Sequence, residues 1–245
     1  MNSINDGNSI SSRISPLTTS LLYPLGRRII LPAFFREIRV EGFEHFPQTG
    51  PLIIAPTHRS RWDGLVIGYT FGRPTTGRNI RYMVSINEMV GLQGWLIRQF
   101  GGFPIDPDRP AISTLRHGVE LLLQAEPLVI FGEGNVFRQP EVQHLKPGLA
   151  RMALQAQRLC RNSPTPSQSV QVLPVGLCYS DPCPHYGSSL VVRIGKPLDV
   201  QDYLLLSPKQ GANRLTTDLI GALNHLMQVQ VPMAIASLPA QAPAN

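Results

Sequence analysis

Pro51-Leu-Ile-Ile-Ala-Pro-Thr-His58-Arg-Ser-Arg-Trp-Asp63 is the stretch that orders the reading of this chain. A short apolar strand runs into Pro56 and Thr57 and delivers His58 into a turn, with Asp63 following. An imidazole beside a carboxylate makes a general base near neutral pH. On a straight helix, five residues turn through about 500°, which would leave the two side chains about 140° apart. They meet only if the chain bends between them. Ser60 is a suitable N-cap for a helix starting at Arg61, which would place Asp63 at the third helical position. There its carboxylate has a second use, closing a capping box, with His58 left as a loop histidine. Taken alone, the pair supports either reading.

Three other segments end strands in the same manner. Leu128-Val-Ile-Phe131 runs into Gly132-Glu133-Gly134-Asn135, where two glycines permit close backbone approach to a ligand. Gly101-Gly-Phe-Pro-Ile-Asp-Pro-Asp-Arg109 ends in an arginine able to grip a phosphate with two parallel hydrogen bonds, or simply to be solvated. Val172-Leu-Pro-Val-Gly176 is a buried strand interrupted by Pro174, a pattern also expected of an edge or a bulge. In open α/β sheets ligands sit outside the carboxyl ends of the strands, where these turns belong.

Working outward, strand patterns fall near 37–40, 52–55, 80–84, 103–105, 127–131, 170–178 and 190–194. Helical patterns fall near 62–71, 88–100, 111–125, 146–161 and 213–228. The alternation predicts an α/β fold: a single domain over 36–230 with a mostly parallel, mixed central sheet flanked by helices. The Ser/Pro/Thr-rich stretch 162–169 reads as a loop within that domain. Residues 1–35 form a loose N-terminus leading into a short amphipathic helical segment. Between 18 and 35, Leu21, Leu22, Leu25, Ile29, Ile30, Phe34 and Phe35 are interleaved with Arg27 and Arg28, and Pro24 and Pro32 are expected to break any long helix. Such a segment can lie on a membrane with its arginines toward lipid phosphates, or pack on the core. Residues 231–245 are a Pro/Ala tail with the composition of a disordered segment.

The chain has 245 residues, 42% of them hydrophobic and 16% charged, enough to bury a substantial core. Its net charge of +6 favours an anionic partner: phosphate, nucleic acid or an acidic membrane. Cys160, Cys178 and Cys183 make neither a metal quartet nor an even disulfide framework and read as reduced thiols of a cytoplasmic protein. The first residues lack the basic start and apolar core of a signal peptide. No window approaches the ~18 consecutive apolar residues of a spanning helix.

The four strand-end blocks, in this order, resemble the glycerolipid acyltransferase family typified by 1-acylglycerol-3-phosphate O-acyltransferases. That family carries His-x4-Asp, a Gly-rich block ending in Arg, Phe-Pro-Glu-Gly, and a Val/Leu-Pro-Val strand. Here these are His58 to Asp63, Gly101 to Arg109, Phe131 to Gly134, and Leu173-Pro174-Val175. The resemblance implies that His58 is the general base for an acceptor hydroxyl and that Asp63 orients its ring. It further implies that Glu133 and Gly134 serve acceptor binding and site architecture, and that Arg109 binds phosphate. An acyl thioester, either acyl carrier protein-bound or acyl-CoA, would be the donor and a lysophospholipid the acceptor, with no cofactor and no metal. No Gly-x-Ser-x-Gly elbow supplies an enzyme nucleophile, and backbone N–H groups near the turns would stabilise the oxyanion.

The chain also departs from the family. Pro107 and Asp108 separate Asp106 from Arg109, and Gly132, Asn135 and Val136 replace the usual Pro, Thr and Arg of the third block. Arg138 and Lys146 are the cationic residues available instead. These changes leave the His–Asp chemistry in place and open the question of the acceptor headgroup. The expected location is the cytoplasmic face of a membrane, with peripheral contact through residues 18–35. Two other classes compete. A basic nucleic-acid or membrane binding module finds no clustered basic–aromatic motif, so no nucleic-acid partner is expected. A hydrolase or metal enzyme using His58, Asp63 and His144 finds no ligand spacing to support it.

Overall fold

The computed structural model describes residues 12–162 and 168–228. The N-terminal helices α1 (Pro16–Leu25) and α2 (Leu31–Phe34) are joined by a π-helical turn, Gly26–Ile30. There follow β1 (Glu37–Glu41), β2 (Leu52–Pro56), α3 (Asp63–Phe71), α4 (Arg73–Thr76), β3 (Arg81–Ser85), α5 (Gly91–Gln99), β4 (Gly102–Ile105) and α6 (Ile112–Leu123). The chain continues through β5 (Leu128–Val129), α7 (Gly148–Arg161), β6 (Gln171–Tyr179), β7 (Ser189–Ile194), β8 (Leu198–Asp199) and α8 (Pro208–Gln228).

Seven strands form one sheet in the order β1-β7-β6-β2-β5-β3-β4, and β8 pairs with β6. From β6 to β4 all neighbours are parallel, while β7 and β8 run antiparallel to β6. The fold is therefore a mixed, mostly parallel α/β sheet, as the alternating pattern predicts. Strand β2 is buried along its whole length. Its side chains alternate between two cores with the period of two that a strand imposes. Leu52 and Ile54 join Leu31, Phe35, Val66, Ile67 and Phe71 on one face. Ile53 and Ala55 join Val119, Leu122, Leu149 and Ala153 on the other.

The strand order positions the site. Because β6, β2, β5, β3 and β4 are parallel neighbours, the loops after them emerge side by side along one edge. The ladder even extends past the strands: Ile130 N–H donates to Ile54 O at 3.0 Å and Thr57 N–H to Val175 O at 2.9 Å. Segments 57–63, 86–88, 106–109 and 130–134 and the end of β6 are thereby gathered without any long loop.

Several boundaries differ from the sequence reading. The N-terminal segment is helical through both prolines. Pro32 has no N–H, and its ring would press on the carbonyl four residues back in an α-helix. The preceding turn is widened instead, with Leu31 N–H bonding Gly26 O five residues back, and the chain continues helical. Helix α8 starts at Pro208 rather than near 213, because Pro208 follows Ser207, whose Oγ accepts from Gln210 N–H at 3.4 Å. Strand β8 was too short to leave a pattern. Pro174 does lie in an interior strand, yet at a gap in its neighbour: β7 last pairs at Val175 and β8 first at Val172. Its missing donor therefore faces the turn between them, where Gly195 N–H bonds Pro174 O at 3.0 Å. The loop expected over 162–169 and the tail over 231–245 lie largely or wholly outside the described residues, as do residues 1–11 of the N-terminal segment.

Candidate active site

After β2 the chain makes a tight turn before α3 begins at Asp63, and the Asp63 carboxylate organises it. Oδ2 accepts from Arg59 N–H at 2.6 Å, from Ser60 N–H at 2.9 Å and from His58 Nδ1 at 2.8 Å. The expected capping box with Ser60 as N-cap does not form: α3 starts at Asp63 rather than Arg61, with Trp62 at its N-cap and no side-chain cap. Ser60 Oγ instead accepts from Trp62 N–H at 3.2 Å within the turn before the helix. The carboxylate that holds the turn before α3 and the carboxylate that pairs with His58 are thus the same. The non-helical turn over 57–62 is what overcomes the 140° divergence and brings Asp63 back to His58.

This geometry sets the imidazole's chemistry. A carboxylate offers only acceptors, so Nδ1 carries the proton and the Nε2 lone pair is left for a substrate. No described residue bonds Nε2. The ring stacks on Phe131 with centroids 4.3 Å apart and retains partial exposure, 22% of its side chain against 0% for Asp63. The second Asp63 oxygen accepts from the Tyr179 hydroxyl at 2.6 Å. Burial, reinforced by the Asp63 charge, pushes the Tyr179 phenol far above its ordinary range, so it stays a donor at any working pH. Tyr179 ends β6, which lies beside β2 in the sheet. Nothing in the sequence pairs it with Asp63, because only strand order brings residues 63 and 179 together.

Glu133 stands behind the histidine. Its side chain is fully buried and accepts from His58 N–H at 2.7 Å, Gln143 N–H at 2.9 Å, and Arg59 Nη1 at 2.8 and 3.0 Å. Arg59, itself 5% exposed, also reaches the carbonyls of His58, Phe137 and Glu141. Phe137 N–H returns to His58 O at 2.8 Å. An ion pair therefore ties the turn after β2 to the turn after β5. The Glu133 carboxylate is thus enclosed by donors of the protein itself, an arrangement that suits the architectural half of its expected role. Arg59, inside the His-x4-Asp spacing, was passed over by the sequence reading although its position alone marked it for attention.

The remaining predicted residues lie around this centre. Gly134 adopts φ +71°, which favours glycine, and a Cβ there would meet Lys146 Cε at 2.8 Å. Lys146 Nζ donates to Pro107 O at 2.7 Å and pairs with Asp108 at 3.3 Å. It thus joins the turn after β4 to the turn after β5 and is already engaged rather than open. The Asp106 carboxylate accepts from the backbone N–H groups of Asp108 and Arg109, which hold it below the usual carboxylate range. The inserted Pro107-Asp108 pair thus makes an Asx-type turn with Arg109 at its end. The side chains of Arg109 and Arg138 are exposed and bond to no described residue. Arg138 adjoins Phe137 and so stands next to the His58 backbone. The N–H groups of His58, Arg59 and Ser60 are all engaged by carboxylates. Those three N–H groups are consequently not free to serve as oxyanion donors. His144 is exposed and makes no bond to the pair.

The sequence profile of the family described as Acyltransferase matches residues 37–177, from β1 into β6. A curated relative, 1-acyl-sn-glycerol-3-phosphate acyltransferase of Streptococcus pneumoniae, is 24% identical over 176 residues, covering 68% of this chain and 58% of that protein. The chain thus spans a little over half the length of that relative. The crystal structure of the 1-acyl-sn-glycerophosphate (LPA) acyltransferase PlsC from Thermotoga maritima superposes with a TM-score of 0.62 at 17% identity, covering 85% of this chain and 77% of that one. The likeness of fold, together with a profile match that contains the turn after β2 and the turn after β5, establishes that the chain belongs to the acyltransferase family.

Proposed function

We propose that this protein transfers a fatty acyl group from an acyl thioester to the free hydroxyl of a lysophospholipid. The first candidate acceptor is 1-acylglycerol 3-phosphate, giving phosphatidic acid. One observation carries the reading: His58 Nδ1 is held at 2.8 Å by a buried carboxylate while no described residue engages Nε2. Nε2 removes the proton from the acceptor hydroxyl, and the oxygen attacks the thioester carbonyl. The tetrahedral oxyanion collapses with cleavage of the C–S bond, and the proton passes from His58 to the departing thiolate. The products are an ester and a free thiol. Asp63 holds the imidazole tautomer and stabilises the imidazolium, as the carboxylate of a serine-protease triad does, with the substrate hydroxyl in place of the serine.

Arg109 and Arg138 are assigned to the acceptor phosphate, being cations at the sheet's carboxyl edge whose guanidinium groups bond to no described residue. Lys146 and Gly134 shape the turns that present them. The donor is an acyl-acyl carrier protein or acyl-CoA. We place the protein peripherally on the cytoplasmic face of a membrane, touching lipid through residues 18–35. Leu21, Leu25, Ile29 and Ile30 are exposed there beside exposed Arg27 and Arg28, and among the described residues no helix is long and apolar enough to cross a membrane. The test is an acceptor panel followed by thiol release: lysophosphatidic acid should support turnover, with glycerol 3-phosphate and uncharged lysolipids at least tenfold weaker in kcat/KM. Equal rates with uncharged lysolipids would refute the phosphate assignment.

A further inference from the structure

A second apolar surface flanks the site and has no role in the chemistry described. After β3 the chain forms a short turn at Ile86–Glu88 and enters α5. Ile86, Val90, Leu92 and Trp95 are exposed by 53, 71, 74 and 49%. A loose loop does not explain this exposure. Met89 is buried beneath the segment, its carbonyl accepts from Arg98, and Gly94 lies so close to Met89 that a Cβ would overlap its carbonyl carbon at 2.1 Å. The backbone is cinched inward while the large apolar side chains point out.

We propose that residues 86–95 form a second lipid-contacting element, which with α1 seats the carboxyl edge of the sheet on a phospholipid surface. The inference rests on the reading of the acceptor as a membrane lipid. Three features identify the occupant. First, the segment adjoins the catalytic turn: Glu88 pairs with Arg61 at 3.3 Å, three residues beyond His58. Second, the helix this segment opens is fastened to the N-terminal helices at its other end. Ser15 N–H bonds Gln99 O at 3.0 Å, and Tyr23 packs edge-on against Phe100 at 5.2 Å. Third, the charge is complementary to an anionic surface. Glu88 is the only acid in residues 86–99 and is engaged by Arg61 and Gln93, while Arg27, Arg28 and Arg61 are exposed. Exposed large apolar side chains close together in the chain, with a tryptophan among them and exposed arginines nearby, have the composition of a membrane interface.

The experiment uses the full chain with vesicles of phosphatidylcholine containing phosphatidylglycerol, with and without acyl-chain-brominated lipid. Bromine should quench the emission that is lost in Trp95→Phe, and V90E/L92E should weaken vesicle partitioning at least about tenfold. Thiol release should fall correspondingly with vesicle-embedded lysophosphatidic acid and stay unchanged with a short-chain, water-soluble acceptor. Vesicle binding with Trp95 unquenched and indifferent to V90E/L92E would overturn the proposal while leaving the N-terminal contact intact. So would an equal loss of activity on both acceptors, or a change in self-association without a change in partitioning. Absence of thiol release from the unsubstituted protein on either acceptor would instead strike the enzymatic reading, and quenching alone would still decide the lipid contact.

Discussion

Replacing Glu133 with glutamine distinguishes a residue that holds the site together from one that binds substrate. The substitution keeps the shape of the side chain and one acceptor oxygen for His58 N–H, but it removes the charge opposite Arg59. Arg59 would then be a cation at 5% exposure, with only the carbonyls of His58, Phe137 and Glu141 around it. Breaking one side of a buried ion pair costs about 3–5 kcal/mol, because the surviving charge is left uncompensated. For a chain of this size each kcal/mol lowers Tm by roughly 2–4 °C, so E133Q should melt roughly 6–20 °C below the parent protein. The loss would take a large share of an ordinary net stability of about 5–15 kcal/mol. Adding Arg59→Met removes the orphaned charge, and the double variant should regain much of the lost Tm, giving a strongly non-additive cycle. Thermal melts followed by circular dichroism, paired with KM for the acceptor, make the comparison. A Tm within about 2 °C of the parent together with a raised acceptor KM would refute the reasoning and return Glu133 to the substrate.

Asp63→Asn presents an amide where four donors converge, so it should both misplace the imidazole tautomer and lower kcat about 10³–10⁴-fold in thiol-release assays. Tyr179→Phe deletes one hydrogen bond to a buried carboxylate, worth about 1.5–3 kcal/mol; steady-state kinetics should show kcat down about tenfold or more with KM little changed. Because burial raises the Tyr179 pKa above its unfolded value of 10.0, its contribution to stability is complete below pH 10 and declines as pH rises beyond it. Denaturant titrations from pH 9 to 11 should therefore show a shallower alkaline loss in Tyr179→Phe. Arg109→Ala and Arg138→Ala should each raise KM for the phosphate-bearing acceptor about tenfold with kcat nearly unchanged, since a bond equally strong in ground and transition states affects KM alone.

Much of this site was legible because local chemistry and strand ends coincide. The apolar run before His58, the Gly-Glu-Gly turn after Leu128–Phe131 and the spacing of His58 and Asp63 all act within a few residues of one another. What escaped depends on contacts between segments far apart in sequence. Tyr179 meets Asp63 only because β6 and β2 are neighbours, an ordering that periodicity does not reveal. Glu133 looked like a ligand-facing residue because a glutamate between glycines is normally exposed; its burial depends on Arg59, 74 positions away. The helical passage through Pro32 was unreadable for another reason. A proline's cost is set by whether the preceding turn can widen, and propensity carries no term for that.

The central claim is that His58 activates a substrate hydroxyl directly, with no acylated enzyme between donor and acceptor. Thiol release from an acyl thioester, followed by rapid quench with and without lysophosphatidic acid, tests it most directly. The account predicts no burst of thiol in the absence of acceptor, steady release in its presence, and loss of that release by at least about 10³-fold in His58→Ala. A stoichiometric burst without acceptor, or release that survives in His58→Ala, would contradict it.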